Sequence, residues 1–267
     1  MGLPFDPAAV LLIGLVTALY VRAVRILGRR GYEVPVLQQV AWHGGVVLVA
    51  VGLLSPIDGL GEDLLSAHMA QHLLIADLAA PLLLIGMRTP VLVFLLPRPV
   101  LVPLARRQGL RRFLRVLRKP LVAIALYVLV LYGWHLPFMF EGALSNGALH
   151  ALQHQSFVVV SLLVWWPLLE PKRRRLRGEL WKIGHILGVR LSGMFLGMAF
   201  IVLRSPAYDA YGDAARSHGL TAMSDQQLAG GMMLGLDVIV MLSAFAFFFW
   251  RASEDHDRAA RAPVAAQ

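Results

Sequence analysis

The sequence predicts an all-α membrane protein, a single bundle of seven transmembrane helices with its N-terminus outside the cell and its C-terminus in the cytoplasm. Three observations predict this fold class. Hydrophobic residues make up 58% of the chain and the mean hydropathy is +0.65, well above the values of ordinary soluble domains. Apolar runs of about 20 residues, long enough to cross a bilayer, recur along the chain. Basic residues concentrate in every second connection between these runs.

Seven apolar runs fill most of residues 1–250 and leave no room for a separate soluble domain. We therefore expect a single membrane domain over these residues. The predicted spans cover residues 8–27, 38–54, 64–86, 120–138, 147–169, 183–203 and 229–250.

Three segments outside the spans have patterns of their own. In residues 104–119, apolar residues recur at helical spacing and arginines fill the other face, which predicts a basic helix in the cytoplasmic membrane interface, in contact with anionic lipids. Residues 204–228 form the longest outer loop, which we expect to cap the bundle. Residues 251–267 are charged and rich in alanine, which predicts a disordered cytoplasmic tail.

The distribution of basic residues predicts the orientation. Twenty of the 25 Lys and Arg residues lie in alternate connections or in the tail, whereas the opposite loops contain only Arg204 and Arg216 among several acidic residues. Because cytoplasmic loops of membrane proteins are enriched in Lys and Arg, this pattern places the N-terminus outside. Basic residues that flank spans argue against nucleic-acid binding. The absence of cysteine excludes disulfides and thiolate metal ligands.

Two His-x-x-x-His motifs are the most informative pattern in the chain. His68 and His72 lie near the start of the third predicted span, and His150 and His154 lie near the start of the fifth. A spacing of four residues places both members of a pair on one helix face. Both spans enter the membrane from the outer side, so the four imidazoles are expected in one outer layer. A single histidine near a helix end is usually interfacial, but two matched pairs favour contact with a metal or haem.

Further soft donors are predicted at comparable depth. Imidazole and thioether groups together suit Cu(I), and a chain without cysteine has no other soft ligands. A methionine in a membrane helix is more often a packing residue, so the thioethers are candidates beside that simpler interpretation. The additional candidates, as ligands or as groups that orient the ligands, are His135, Met69, Met194, Met198, Met232, Met233 and Asp237.

A second polar layer is predicted nearer the cytoplasmic surface. Asp77, Arg190 and His43 are expected at similar depth on the third, sixth and second spans. A charge in the hydrocarbon is costly unless it is paired, so we predict that Asp77 pairs with Arg190 and that His43 is adjacent. The pair is interpreted either as a structural link between helices or as part of a proton or ion relay.

Several motifs, taken in order, resemble a known family. They are Leu-Ser-Pro-Ile-Asp at 54–58, Ser-Ala-His-Met-Ala-Gln-His at 66–72, His-Ala-Leu-Gln-His at 150–154 and Asp-Gln-Gln-Leu-Ala-Gly at 225–230. Over about residues 40–250 the chain is similar to the multi-span CtaG family of cytochrome c oxidase assembly proteins. Asp77, Ala80 and Leu234 depart from the family pattern, but none of them belongs to a histidine pair.

The resemblance implies a multi-pass protein of the bacterial plasma membrane that helps to form a haem–copper oxidase of the respiratory chain. The role usually proposed for the family is copper delivery. Carried onto this sequence, the resemblance implies metal handling by the four paired histidines, with Asp225 and Gln226 at the outer mouth of the site.

Together with these patterns, the resemblance implies a non-enzymatic assembly factor that holds Cu(I) in its outer histidine layer and passes it to an oxidase subunit. The expected partners are cytochrome c oxidase subunits, a periplasmic copper donor and anionic lipids. Three alternatives stay open: a haem-binding or redox protein, a transporter of a metal or protons that uses both polar layers, and a metal-free scaffold. The sequence motifs of serine hydrolases, zinc proteases and phosphate-binding loops do not occur.

Overall fold

Helices account for nearly all of the described chain. The computed structural model describes residues 7–169, 180–212 and 214–261, and within these residues the protein contains no β-strand. A short 3₁₀ turn at Asp209–Tyr211 follows α11. In chain order the helices are α1 (Pro7–Gly28), α2 (Val36–Leu54), α3 (Pro56–Asp63), α4 (Leu65–Gly86), α5 (Val91–Leu95), α6 (Arg98–Arg106), α7 (Gln108–Leu117), α8 (Pro120–Trp134), α9 (Pro137–Ser145), α10 (Gly147–Leu169), α11 (Leu180–Val202), α12 (Ala214–Ser217) and α13 (Ala222–Arg261).

The long apolar helices make the protein a multi-pass membrane protein. Six of them, α1, α2, α4, α10, α11 and α13, are long and apolar enough to cross a membrane. α8 and α9 pass the same test as a pair, although they are bent by 72° at the break between them. The described chain therefore has six candidate spans, or seven if the bent pair forms one.

The helix that begins at Pro120 is shorter than the predicted span, which extends to residue 138. It ends at Trp134, and α9 starts at Pro137. Proline disfavours the α conformation in the residue before it, and Leu136 is extended, with φ −65° and ψ 132°. Pro137 then occupies the first turn of α9, where a missing N–H costs nothing. The bend brings Phe140 against His68.

The basic segment forms two helices instead of the single helix predicted over residues 104–119. α6 ends at Arg106 and α7 begins at Gln108, with Arg107 in an extended conformation between them. Neither helix buries a residue. The Arg118 guanidinium that follows α7 lies 5.2 Å from the ring centre of Trp166, near the end of α10. The basic segment therefore lies at the end of the bundle where α10 finishes.

The last helix continues through Arg261, whereas the sequence predicts disorder from residue 251. Alanine, glutamate and arginine are strong helix formers, so a charged segment of this composition extends a helix that is already nucleated by its apolar part. Residues 262–267 of the predicted tail lie outside the described residues.

α11 and α13 approach each other more closely than ordinary helices. A Cβ placed on Gly230 would lie 2.5 Å from the carbonyl oxygen of Gly197, and a Cβ placed on Gly197 would lie 2.9 Å from the carbonyl oxygen of Gly230. Small residues allow this kind of backbone contact between membrane helices. The contact fixes the height of one helix relative to the other, and both helices contribute charged side chains to the interior.

Candidate functional site

The start of α4 is fixed by a carboxylate from another helix. Asp225, in the first turn of α13, accepts hydrogen bonds from the backbone N–H of Leu65 at 2.6 Å and of Ser66 at 3.1 Å. The Ser66 hydroxyl donates to the same carboxylate at 2.5 Å. The first N–H groups of a helix have no partner within it, and an anion at this end also interacts favourably with the helix dipole. Asp225 therefore sets the position of the two histidines that follow on α4.

The two histidine pairs converge at this end of the bundle, which we call the histidine end: the end at which α4, α10 and α13 begin. The ring centres of His68 and His72 lie 4.4 Å apart, and those of His150 and His154 lie 4.2 Å apart. Between the helices, His68 lies 5.2 Å from His150, and His72 lies 5.1 Å from His154. We call these four residues the histidine cluster.

The histidine cluster is buried and its hydrogen-bonding capacity is largely unused. His68, His72 and His154 are each less than a tenth exposed. Both ring nitrogens of His68 and of His72, and the Nε2 atoms of His150 and His154, have no hydrogen-bond partner among the described residues. A buried polar group without a partner costs about 1–3 kcal/mol, so the concentration of such nitrogens in one place makes the histidine cluster a candidate binding site.

The cluster supplies donors but not a finished coordination sphere. Within residues 7–169, 180–212 and 214–261, no group of three or more His, Asp or Glu side chains is arranged so that it could hold a metal ion. The rings of His68 and His150 are instead stacked, at an interplanar angle of 20°. Nitrogen ligands bind first-row metals at about 2 Å, so rotation of the side chains is required to direct the nitrogens to one point.

Aromatic side chains enclose the cluster. Phe140 packs on His68, with ring centres 4.9 Å apart, and Phe157 packs on His72 at 4.7 Å. Tyr208 stacks on Phe140 at 4.0 Å and donates its hydroxyl to the carbonyl of His135. Tyr211 donates its hydroxyl to the Gly61 carbonyl, at the end of α3. The loop between α11 and α13 therefore covers the histidine end, as the sequence predicts.

His150 lies on the more open side of the cluster. It is only partly buried, and Asp58 and Glu62 of α3 lie close enough to act on it electrostatically. Asp58 also accepts a hydrogen bond from the Gln71 amide at 2.6 Å, which ties α3 to α4. Two carboxylates next to the most accessible imidazole attract cations to this side.

A second polar cluster lies deeper in the bundle. Arg190 of α11 donates from Nη1 to Asp77 of α4 at 2.6 Å and to Asp237 of α13 at 2.7 Å. Arg190 is 2% exposed, and both carboxylates are also buried. The predicted pairing of Asp77 with Arg190 is thus present in the structure. We call these three residues the carboxylate–arginine cluster.

Two residues of this layer differ from the sequence-based expectation. Asp237, expected to face the outer histidine layer, instead pairs with Arg190, because α11 and α13 are packed backbone to backbone. His43, expected beside Asp77, is exposed, and its Nδ1 lies 2.8 Å from the carbonyl oxygen of Gln39. Depth along a span can be read from the sequence, but the rotation of the helix about its axis decides which neighbour a side chain meets.

Gly193 makes room for the Asp237 carboxylate, because a Cβ at this position would overlap the carboxylate oxygen Oδ2. We expect Gly193→Ala to displace Asp237 from Arg190 and to lower the free energy of unfolding by about 1–3 kcal/mol. The measurement is thermal unfolding of the purified protein in detergent. Gly184→Ala on the same helix is the matched control, since nothing lies within 4 Å of its Cβ position. Equal unfolding temperatures for the two variants would contradict this packing.

A small cavity separates the two clusters. Its volume is about 30 Å³, which corresponds to room for about two water molecules. His72 lines it on the side of the histidine cluster, and Asp77 and Asp237 line it on the other. The lining also contains Met69, Leu73, Ala76, Tyr127, Leu131, His135, Phe157, Gly193 and Met233.

A π-helical turn explains how His72 and Asp77 reach the same cavity. In an α-helix each residue turns by about 100°, so residues five apart point about 140° away from each other. Leu73–Leu78 forms a π-helix, whose hydrogen bonds join residues five apart. His72 and Asp77, five positions apart in the sequence, are thereby brought towards one face of α4. Such turns are frequent at functional sites.

The remaining predicted site residues divide into three groups. Met69, Met233 and His135 line the cavity. Met194, Met198 and Met232 do not line it, and Met198 is 44% exposed. Asp225 and Gln226, expected at an outer mouth, are buried in structural hydrogen bonds. Gln226 accepts from the backbone N–H of Ala207 and donates to the carbonyl of Phe200.

The structure adds residues that sequence analysis did not identify. Tyr127 lies beside the Arg190 guanidinium, 5.8 Å from ring centre to Cζ, and lines the cavity. The Gln153 side chain is fully buried, and its amide has no partner within the described part of the chain. A glutamine in an apolar span, one position before His154, is a signal visible in the sequence. Nothing in the sequence distinguishes Tyr127 from Tyr132 of the same span.

The fold and the site together define a multi-pass helical membrane protein. It has an all-histidine cluster at the histidine end and a buried carboxylate–arginine cluster deeper in the bundle. The model of the family described as cytochrome c oxidase caa3 assembly factor (CtaG) matches residues 18–255, which is most of the chain. The protein therefore belongs to the cytochrome c oxidase caa3 assembly factor family, and the resemblance drawn from the sequence motifs is confirmed. No curated protein and no solved structure matches the chain.

Proposed function

We propose that this protein holds Cu(I) in its histidine cluster and delivers it to a cytochrome c oxidase subunit during assembly in the bacterial plasma membrane. It acts as a metal chaperone within the membrane and not as an enzyme. The family supports the assembly role. The unused imidazole nitrogens support the copper role, because neutral imidazole is a good ligand for copper and a buried site favours a cation of low charge.

In this proposal the chain has seven spans, with α8 and α9 as the fourth, and the histidine end faces outwards. The arrangement of basic residues supports this orientation. Arg118 contacts Trp166, and Arg88 donates to the carbonyl of Leu169, both at the end of α10 that is opposite His150. Basic residues accumulate on the cytoplasmic side of membrane proteins. The histidine end then receives copper from a donor outside the membrane, and α6 and α7 contact anionic lipids.

The geometry favours copper over haem. The four imidazole rings are in contact with one another, and the cavity beside them is only about 30 Å³. A porphyrin is many times larger than this space. Binding of a bare ion requires only rotation of side chains that are already adjacent.

An anaerobic titration with Cu(I) against a competing chelator tests the proposal. We expect wild-type protein to bind Cu(I), and we expect His68→Ala/His72→Ala and His150→Ala/His154→Ala each to lose at least one bound equivalent. The matched control is His43→Ala, which removes an exposed histidine from another membrane helix and leaves binding unchanged.

Two results would overturn the copper role. The first is a wild-type protein that binds no Cu(I). The second is a pair of double variants that bind as much as wild type. If cells carrying the double variants also assemble an oxidase with its full copper content, the protein acts as a metal-free scaffold.

A further inference from the structure

The cavity between the two clusters brings together soft donors from three parts of the bundle. Met69 and His72 come from α4, His135 follows α8, and Met233 comes from α13. Two thioethers and two imidazoles are a donor set that suits a soft monovalent cation. Of the methionines that the sequence marks as candidate ligands, the two that line the cavity are almost fully buried, whereas Met198 is 44% exposed.

The two imidazoles that line this space have buried nitrogens without a hydrogen-bond partner among the described residues. His135 Nδ1 lies 2.6 Å from the carbonyl oxygen of Leu131. A carbonyl can only accept, so Nδ1 carries the proton and Nε2 carries a lone pair. Nε2 of His135 is buried and has no partner among the residues described, and the same holds for both nitrogens of His72. A histidine fixed by a backbone carbonyl in this way is the usual form of a metal ligand.

The opposite side of the cavity supplies charge. Two carboxylates, Asp77 and Asp237, share one guanidinium, that of Arg190, and all three groups are buried. When both carboxylates are ionised the cluster has one negative charge in excess. An uncompensated charge in a membrane interior is costly. Protonation of one carboxylate removes this excess, and a monovalent cation in the adjacent cavity would remove it as well.

We propose that this cavity is a second cation-binding station, distinct from the histidine cluster, for a soft monovalent cation such as Cu(I). Met69, Met233, His72 and His135 are its donors, and the carboxylate–arginine cluster is its counter-charge. His72 lies between the two stations, because its ring contacts His68 and His154 and also lines the cavity. A neutral imidazole has one lone pair, so His72 is a ligand to one station at a time. The choice of cation rests on the proposed function, but the existence of the station does not require the histidine cluster to bind.

Counting bound Ag(I), a redox-stable analogue of Cu(I), tests the inference on purified full-length protein by equilibrium dialysis and metal analysis. We expect two equivalents for wild type and one for Met69→Leu/Met233→Leu, since leucine fills the same space without a donor sulfur. His150→Ala/His154→Ala is expected to retain one equivalent. Met198→Leu/Met232→Leu is the matched control and is expected to bind two, because neither side chain lines the cavity.

The outcomes separate the two proposals. One equivalent in wild type, lost on His150→Ala/His154→Ala and unchanged by Met69→Leu/Met233→Leu, would overturn the second station and leave the histidine cluster intact. One equivalent with the opposite pattern would overturn the histidine cluster and support the cavity. No binding by any of the proteins would overturn both.

A separate variant tests the counter-charge. Asp237→Asn keeps a carbonyl oxygen for the hydrogen bond to Arg190 but removes the excess charge. We expect the dissociation constant of the cavity station for Ag(I), measured in the His150→Ala/His154→Ala background, to rise by about tenfold or more. An unchanged dissociation constant would show that the carboxylate–arginine cluster does not compensate the cation.

Discussion

The Arg190→Met substitution is expected to lower the free energy of unfolding by about 3–5 kcal/mol, because it leaves Asp77 and Asp237 buried without a counter-ion. Methionine preserves much of the side-chain volume, so the loss reports the charge and not a cavity. The measurement is unfolding of the purified protein in mixed micelles with increasing detergent denaturant, followed by circular dichroism.

Two further variants identify the cause of this loss. Arg190→Met combined with Asp77→Asn and Asp237→Asn is expected to recover most of the stability, since no charge is then left in the interior. Arg204→Met, which removes an exposed arginine just beyond the end of α11, is expected to unfold as wild type does. If Arg190→Met alone were as stable as wild type, the ion pairs would contribute nothing to the fold.

Asp225→Ala is expected to have the next largest effect. It removes the acceptor of three hydrogen bonds from Leu65 and Ser66, two of them from backbone N–H groups of the first turn of α4, which have no partner within the helix. Hydrogen bonds to a charged group contribute about 1.5–3 kcal/mol each and are not additive, so we expect a loss of about 3 kcal/mol or more. Because α4 carries His68 and His72, binding of Cu(I) should weaken although Asp225 touches neither ring.

The controls for Asp225 separate the cap from a general loss of charge. Asp209→Ala removes an exposed carboxylate from the loop between α11 and α13, and both stability and Cu(I) affinity are expected to remain at wild-type values. Asp225→Asn retains one acceptor oxygen and should fall between wild type and alanine. A full loss of Cu(I) binding in Asp225→Ala with unchanged stability would instead indicate that the carboxylate is a ligand.

Spacing and charge were sufficient to predict the parts of the site that depend on depth. The His-x-x-x-His pairs enter the bundle from one end, and their convergence follows from two helices that begin at the same level. The pairing of Asp77 with Arg190 followed from the cost of an isolated charge in hydrocarbon. Residue spacing and the positions of charges along a span can be read directly from the sequence.

The rest of the site depends on helix rotation and on local distortion. Asp237 was placed in the wrong layer because its partner is decided by the glycine contact between α11 and α13. The shared cavity of His72 and Asp77 depends on a π-helical turn, which has no sequence signature comparable to a proline or a cap. Asp225 was expected at the outer mouth of the site, whereas in the structure its carboxylate caps the start of α4.

α13 extends over 40 residues, which is about 60 Å at 1.5 Å per residue, roughly twice the thickness of the hydrocarbon core. This helix carries three residues of the interior: Asp225, which caps α4, Met233, which lines the cavity, and Asp237, which pairs with Arg190. A stiff helix moves as a unit, so a slide or roll of α13 changes all three at once. A displacement of the charged C-terminal part of this helix would therefore move all three side chains together.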